Sequence, residues 1–310
     1  MGVQGGDGMQ TQFHQDVEVT FTMSGTTDNG LTFGTSVQLD EGGTTGAGTN
    51  VFDDQGYAVF LSGNFGTVTM GDTDGALDWA MTENVGNPGS IADNETGHAG
   101  YMGSFLDGAY DGQILRYDTT FGDFGFAASV EMDQTGVRDE GVAVGIRYGL
   151  DLGGTDLNLG LGYQSATYAA DGAGQLSIVG VDIDALVGFA LPANYQVDVD
   201  AIGISANLSM GNMVAGVAFT SFDASFIDGS AEGDHVGLSL GYSMDALSVG
   251  VNWGQMDGTV TAPGGPYSID MQGWGAAAAY DLGGGAALHL GYGSTQNGAD
   301  NWSFGLAMSF

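Results

Sequence analysis

Residues 236–254 read VGLSLGYSMDALSVGVNWG, and this stretch decides the fold class. Every second residue is apolar on both sides of a short turn predicted at Asp245 and Ala246. The apolar positions are Val236, Leu238, Leu240, Tyr242 and Met244, then Leu247, Val249, Val251 and Trp253. The residues between them are Gly, Ser and Asn. A period of two is the signal of a β-strand, so this stretch predicts an antiparallel hairpin with one apolar face.

The same alternation recurs along the chain. In residues 17–24, Val17, Val19, Phe21 and Met23 alternate with Glu18, Thr20, Thr22 and Ser24, and further copies lie at 31–39, 142–150, 157–163 and 302–310. The outer face of a soluble β-sandwich would carry Lys, Glu and Arg. Here the polar face is made of small residues and nearly lacks bases, which is typical of a barrel with an aqueous lumen and a lipid-facing exterior.

Short and long connections alternate between these segments. Short turns are predicted at 27–30, 63–66, 121–123, 151–154, 211–212, 245–246 and 281–285. Long loops are predicted at 5–15, 40–55, 72–112, 133–139, 167–200, 223–233, 257–268 and 294–300. The pattern predicts an all-β, transmembrane, antiparallel up-and-down β-barrel of about 16 strands that forms a single domain, residues 1–310. A propeller or solenoid would show a fixed repeat, which we do not find, and a secreted sandwich would not need this alternation.

Charge narrows the function classes. The 310 residues include 38 acids and 3 bases, for a formal net charge of -35. This excludes a nucleic-acid partner, since the chain offers no cationic footprint. The acids favour cations, and calcium or magnesium could stabilise acidic loops. Composition does not locate charge, so solvated surface acids of a protein adapted to salty water remain an alternative. The start of the chain lacks the basic and apolar regions of a signal peptide, so an exported protein would be in its mature form.

Several stretches resemble the alphaproteobacterial general porins, a family of Gram-negative outer-membrane proteins. Residues 21–34 (FTMSGTTDNGLTFG) look like the family's second hairpin, and residues 59–72 (VFLSGNFGTVTMGD) resemble the segment leading into its constriction loop. Residues 280–286 (YDLGGGA) are similar to a late periplasmic turn, and the terminal Phe310 resembles the outer-membrane assembly signal. These matches are spread from one end of the chain to the other.

The resemblance implies a homotrimer of 16-stranded barrels that passes small hydrophilic solutes and inorganic ions through the outer membrane. It also implies that the loop after Met70 folds into the barrel and narrows it. The chain departs from the family in two respects. Only residues 1–4 match the family's first strand, so either the start is trimmed, or the first strand is short and its closure with the strand of Phe310 is incomplete. The family's row of basic wall residues has only Arg116, Arg138 and Arg147 as counterparts.

The segment 72–112 holds the candidate pore residues. A loop of this length without a strand pattern is uncommon unless it is functional. Folded inward, its carboxylates would give the constriction a negative potential that low-dielectric walls focus. These carboxylates belong to Asp72, Asp74, Asp78, Glu83, Asp93, Glu95, Asp107 and Asp111. The alternative is a loop lying on the outer surface.

Two arginines are expected in the lumen. Arg116 lies between Leu115 and Tyr117, and Arg147 between Ile146 and Tyr148, so alternation directs both guanidinium groups inward. They could set a transverse field opposite the loop, or each could pair with a neighbouring acid such as Asp118. Arg138 is expected to be a solvated loop charge.

Signals for metal sites and catalysis are weak. Asp53 with Asp54, Asp182 with Asp184, and Asp198 with Asp200 could ligate calcium through oxygen, but the spacing of a calcium-binding loop is absent. The four histidines have no metal-site spacing. A nucleophile elbow, a phosphate-binding loop and a dinucleotide fingerprint are also absent, so we expect neither an enzyme nor a cofactor.

The sequence therefore predicts a passive channel that prefers cations. One alternative is a calcium-binding structural or adhesive surface protein, which would show no conductance. Another is a substrate-specific outer-membrane channel, whose transport would saturate and be blocked by one solute.

Overall fold

The computed structural model describes residues 1–43, 56–110, 113–188, 190–227, 229–295 and 299–310. In this part of the chain, sixteen strands close into one antiparallel barrel. They are β1 (Gly2–Gly6), β2 (Met9–Thr26), β3 (Thr32–Gly43), β4 (Tyr57–Gly63), β5 (Gly66–Gly71), β6 (Ile114–Phe121), β7 (Phe124–Glu131), β8 (Gly141–Asp151), β9 (Thr155–Ala169), β12 (Gln196–Met210), β13 (Met213–Phe226), β14 (Gly229–Met244), β15 (Leu247–Ala262), β16 (Gly265–Gly283), β17 (Ala286–Thr295) and β18 (Asp300–Met308). The other elements are α1 (Ala76–Ala80), α2 (Ile183–Val187) and the hairpin of β10 (Ser177–Ile178) and β11 (Val181–Asp182).

The barrel closes between its first and last strands. β1 pairs with β18 from Gly2 opposite Gly305 to Gly6 opposite Asn301, so the expected incomplete closure is wrong: a strand of five residues is enough to close the barrel. Closure leaves no unpaired edge, which a sheet in hydrocarbon requires. The predicted fold class is thereby confirmed. Among the described residues, no helix is both long enough and apolar enough to cross a bilayer.

The predicted apolar positions point away from the lumen. On β14 and β15, Leu240 is 44% exposed and Val251 is 48% exposed, and on β12 Ile204 is 53% exposed. Their strand neighbours Gly203, Gly241 and Gly250 are buried on the inner side. An exposed aliphatic face around a closed wall is the arrangement that hydrocarbon stabilises.

Three predicted long loops are instead extensions of strands. β1 and β2 are separated only by residues 7–8, β13 and β14 by 227–228, and β15 and β16 by 263–264. The strict alternation of short and long connections is therefore wrong. The cause is an inversion of polarity at the strand ends: on β13, Phe222 points inward and is buried, whereas Asp223 points outward and is exposed. Where a strand extends beyond the lipid, its outer face is no longer apolar, and its sequence then resembles that of a polar loop.

The wall of the barrel is uneven in height. β4, β5, β6 and β7 have 7, 6, 8 and 8 residues. β12 to β16 have 15, 14, 16, 16 and 19 residues. We call β4–β7, the short strands, the low sector of the wall, and β12–β16, the long strands, the high sector.

Candidate pore constriction

The connection between β5 and β6 lies inside the barrel. We call residues 72–113 the inner loop, which the structure describes except for 111–112. It begins after Gly71, whose φ of 127° is accessible to glycine and not to other residues, and which turns the chain at the end of β5. Helix α1 follows and packs against β7, β8 and β9 from within. The described residues of the inner loop therefore fold into the barrel, as the resemblance implies.

Glycines on the inner wall give the inner loop its seat. A Cβ atom on Gly254 would overlap the carbonyl oxygen of Gly100, and one on Gly275 would overlap that of Glu95. Similar overlaps with inner-loop atoms occur along a row of inward glycines from β8 to β18, namely Gly145, Gly160, Gly203, Gly241, Gly250, Gly293 and Gly305. Only a hydrogen fits between wall and loop, so this row, the glycine belt, holds the loop against the wall.

Wall side chains bond the inner loop at intervals. The backbone N–H of Ala76 donates to Oγ of Ser129 at 2.8 Å, and the N–H of Val85 donates to Oγ of Ser239 at 3.0 Å. On the returning arm, Nδ2 of Asn252 donates to the carbonyl oxygen of Glu95 at 2.9 Å. The sequence pattern predicts that these small polar residues line an aqueous lumen. In the structure, much of this lining is instead a docking surface for the loop.

Glu83 joins the two arms of the inner loop. Its carboxylate accepts the N–H of Met102 at 3.0 Å and the N–H of Gly103 at 3.2 Å. Nε2 of His235 on β14 lies 3.3 Å from Oε1 of Glu83 and 2.9 Å from the carbonyl oxygen of Gly100. Burial raises the pKa of Glu83 to about 7, although the two backbone donors oppose this shift. The predicted pore acid therefore has structural contacts that its position in the sequence does not reveal.

The predicted loop acids divide into two groups. Asp72, Asp74 and Asp93 are exposed. The other described members are covered to different degrees: Asp78, Glu83 and Asp107 are half-buried, and Glu95 is buried. Asp111 lies outside the described residues.

Two covered acids besides Glu83 have raised pKa values. Burial raises the pKa of Asp78 to about 7, and the nearby charges of Asp74, Asp107 and Glu83 add to the shift. Burial raises the pKa of Asp107 to about 6, against hydrogen bonds of 2.6 Å from the N–H of Gly75 and from Nε2 of Gln164. The negative charge of the covered group therefore varies near neutral pH.

The arginines occupy different environments. Nη1 of Arg116 donates to the carbonyl oxygen of Asp74 at 2.7 Å, and its Nε lies 3.3 Å from Oδ1 of Asp118. The guanidinium of Arg147 lies over the Trp79 ring, 4.2 Å from its centroid, and among the described residues no carboxylate lies within ion-pairing distance of it. Arg138, expected to be solvated, instead pairs with Asp133 at 3.1 Å beside Tyr110.

The inner face of β2 is free of the inner loop. Glu18, Thr20, Thr22 and Ser24 are exposed although they point into the barrel, as does Asp16. On the inner side of β3, a Cβ on Gly34 would meet only Met23 and Phe60 of the neighbouring strands. We call the inner face of β2–β5 the open lane. Sequence reasoning placed candidate pore acids only on the loop and missed Asp16 and Glu18, although their alternation with Val17 and Val19 directs them inward.

The candidate calcium ligands do not converge in the described part of the chain. Oδ1 of Asp184 accepts the N–H of Leu176 at 3.0 Å, and Asp182 precedes α2. Among the described residues, no three His, Cys, Asp or Glu side chains form a group suited to a metal ion. Asp53 and Asp54 lie outside the described residues.

Comparisons with known proteins agree with this architecture. The chain is 29% identical over 290 residues to a porin of Rhodobacter capsulatus, covering 91% of this chain and 87% of the relative. Among solved structures, a refined porin superposes with a TM-score of 0.62 at 21% identity, covering 100% of this chain and 97% of that one. A loop-deletion mutant of Vibrio cholerae OmpT gives 0.69 at 11% identity, covering 99% and 95%. Residues 2–300 match the sequence profile described as Gram-negative porin, so the chain belongs to the Gram-negative porin family, whose members are multi-pass β-barrels of the outer membrane.

Proposed function

We propose that this porin is a passive, water-filled diffusion channel that prefers cations and admits small hydrophilic solutes and ions. The observation that carries the proposal is the charge around the open lane. Asp16 and Glu18 project from β2 inside the barrel, and Asp72 and Asp74 are exposed on the inner loop. Arg116 is already paired with Asp74 and Asp118, which leaves Arg147 as the one lumen arginine without a paired carboxylate among the described residues.

Carboxylates on both sides of a narrow aqueous path concentrate cations and repel anions, because low-dielectric walls focus the field into the water. A family member with a basic wall opposite an acidic loop would orient dipoles across the pore. In this chain the β2 wall, with Asp16 and Glu18, carries the same negative sign as the exposed loop acids, so charge selection replaces a transverse field on that side. We propose no reaction and no cofactor, and calcium bound by acidic loops remains a proposal for the outer surface.

The uneven wall supports a homotrimer. The six residues of β5 span about 20 Å, or about 14 Å along the membrane normal at a tilt of about 45°, whereas the apolar band of a barrel is about 25 Å tall. If only lipid surrounded β4 and β5, polar groups beyond the ends of these short strands would lie within the hydrocarbon layer. A second copy of the chain packed on this low sector would cover it, and three copies would form a closed ring.

The first experiment is single-channel current in a planar bilayer across a potassium chloride gradient. We expect large conductance steps and a reversal potential that favours potassium. The double variant Asp16→Asn/Glu18→Gln should reduce this preference. Its matched control, Glu232→Gln/Asp234→Asn, removes the same charge from the outer face of β14 and should change it less.

Other outcomes would favour other functions. A folded protein without conductance would overturn the channel and favour a structural surface protein. Current that one solute blocks saturably would favour a substrate-specific channel. Anion preference would contradict the assignment of the field to the open lane.

The trimer is tested by cross-linking in the membrane. The chain has no cysteine, so single cysteines are unambiguous. Leu61→Cys on the outer face of β4 should form cross-linked species between copies, whereas Leu238→Cys on the high sector should not. Equal cross-linking at both positions would contradict an interface on the low sector.

A further inference from the structure

A second loop lies on the inner wall at the outer mouth of the barrel. We call residues 170–195 the mouth loop, which the structure describes except for 189. It contains β10, β11 and α2 and connects β9 to β12. Its two ends meet, because the N–H of Ala170 donates to the carbonyl oxygen of Tyr195 at 2.9 Å.

The wall beneath the mouth loop is apolar on its inner side. On β12, Val197 and Val199 point inward and are 2% and 1% exposed, whereas Asp198 and Asp200 point outward and are exposed. The same holds for Phe222 on β13, which is buried inside the barrel. A water-filled mouth does not stabilise bare aliphatic wall, so this surface needs an apolar cover.

The mouth loop supplies that cover. Leu176, Ile178, Val181 and Ile183 are all buried, and they belong to one apolar cluster with Val199, Phe222, Met256 and Val260 of the wall. The loop is also braced internally. Oδ1 of Asp171 accepts the N–H groups of Ala173 and Gln175, and the N–H of Leu191 donates to the carbonyl oxygen of Gly174 at 3.0 Å.

The cover is continuous with the inner loop. Phe105 and Leu106 on the returning arm belong to the same apolar cluster as Ile178 and Val181. The mouth loop and this part of the returning arm therefore lie on the same side of the barrel. The open lane of β2–β5 lies on the opposite side, where the polar inner residues of β2 are exposed.

We propose that the mouth loop is a second selectivity element of the channel. It closes the outer mouth over β12–β16, directs solutes into the open lane, and limits their size before they reach the inner loop. The proposal rests on the proposed channel function, and it assigns the upper size limit for solutes to the buried residues Leu176, Ile178, Val181 and Ile183.

Two neighbouring cysteines test the position of the loop independently of conductance. Ser177 is exposed and Ile178 is buried, so Ser177→Cys should react with a membrane-impermeant maleimide and Ile178→Cys should be protected until the protein is unfolded. Protection of about tenfold or more in rate is expected for a packed core position. Equal rates at the two positions would overturn the proposal even if the protein conducts.

Transport tests its role in selectivity. Val181→Asp, which places a charge in the apolar cluster, should displace the loop, raise single-channel conductance and admit larger sugars in a liposome-swelling assay. The control Ala185→Asp adds the same charge at an exposed position of α2 and should leave the size limit unchanged. An unchanged size limit for folded Val181→Asp protein that labels rapidly at a cysteine introduced at Ile178 would overturn the proposal. Absence of conductance in the unmodified protein would instead overturn the proposed function, while the labelling comparison would still test the loop.

Discussion

Nε2 of His235 on the barrel wall lies 3.3 Å from Oε1 of Glu83 on the inner loop. The same carboxylate accepts the N–H groups of Met102 and Gly103, so one side chain links the outgoing arm, the returning arm and β14. The inner loop is therefore held by a polar contact at its centre as well as by the glycine belt. Substitutions of Glu83 can therefore separate the effect of its hydrogen bonds on stability from the effect of its charge.

Removing the carboxylate should loosen the inner loop. In Glu83→Ala, the N–H groups of Met102 and Gly103 lose their acceptor, at a cost of about 1–3 kcal/mol for each buried donor left unpaired. We expect a lower unfolding temperature by circular dichroism in detergent and more frequent current sublevels. Glu83→Gln keeps one acceptor oxygen and should lie between wild type and Glu83→Ala. Asp72→Ala, an exposed change on the same loop, serves as the control, and an equal loss of stability in that control would contradict the assignment.

The glycine belt makes a steric prediction. A methyl group at Gly254 would overlap the carbonyl oxygen of Gly100, so Gly254→Ala should push the loop off the wall and toward the open lane. We expect lower single-channel conductance. Gly149→Ala on β8 is the matched control, since its Cβ would meet only Oδ1 of Asn158, at 3.4 Å. Unchanged conductance in both variants would show that the loop does not depend on close approach at this position.

The half-buried acids predict a dependence of selectivity on pH. The pKa of Asp78 and that of Glu83 are raised to about 7, mainly by burial, and that of Asp107 to about 6. These groups gain protons as the pH falls from 8 to 5, so the lumen loses negative charge and the preference for potassium should decrease. Asp78→Asn should flatten the change in reversal potential. A potassium preference that increases on acidification would contradict this reading.

The same shifts have the opposite consequence for stability. A carboxyl group whose pKa is higher in the folded protein than in the unfolded chain favours folding most when it is protonated. For Glu83, this contribution is complete below about pH 4.5 and is lost as the pH rises through about 7. Thermal unfolding at pH 5 and pH 8 should therefore show a smaller difference in Glu83→Gln than in the wild type.

How much of the molecule the sequence predicts depends on how local the signal is. The lipid-facing wall follows from period-two alternation, as at Val249 and Val251, because each side chain's face is set by its own strand. The outer ends of β12–β16 are not predicted from the sequence, because there the outer face is polar and the inner face is apolar. Asp223 and Asp257 therefore resemble loop residues. The glycine belt is not predicted for a different reason. Gly254 and Gly100 are distant in sequence, and no local sequence pattern indicates that they are in contact.

Arg147 provides the sharpest test of the charge assignment. Its guanidinium lies over Trp79 inside the lumen, and among the described residues no carboxylate pairs with it, so its positive charge opposes cation passage. Arg147→Gln should therefore increase the preference for potassium. Arg138→Gln removes the same formal charge from a site paired with Asp133 in an outer loop, and it should shift the reversal potential less. The two variants have equal net charge, so a difference between them reports position alone. An equal shift in both would mean that the overall charge of the protein, and not the field inside the open lane, sets its selectivity.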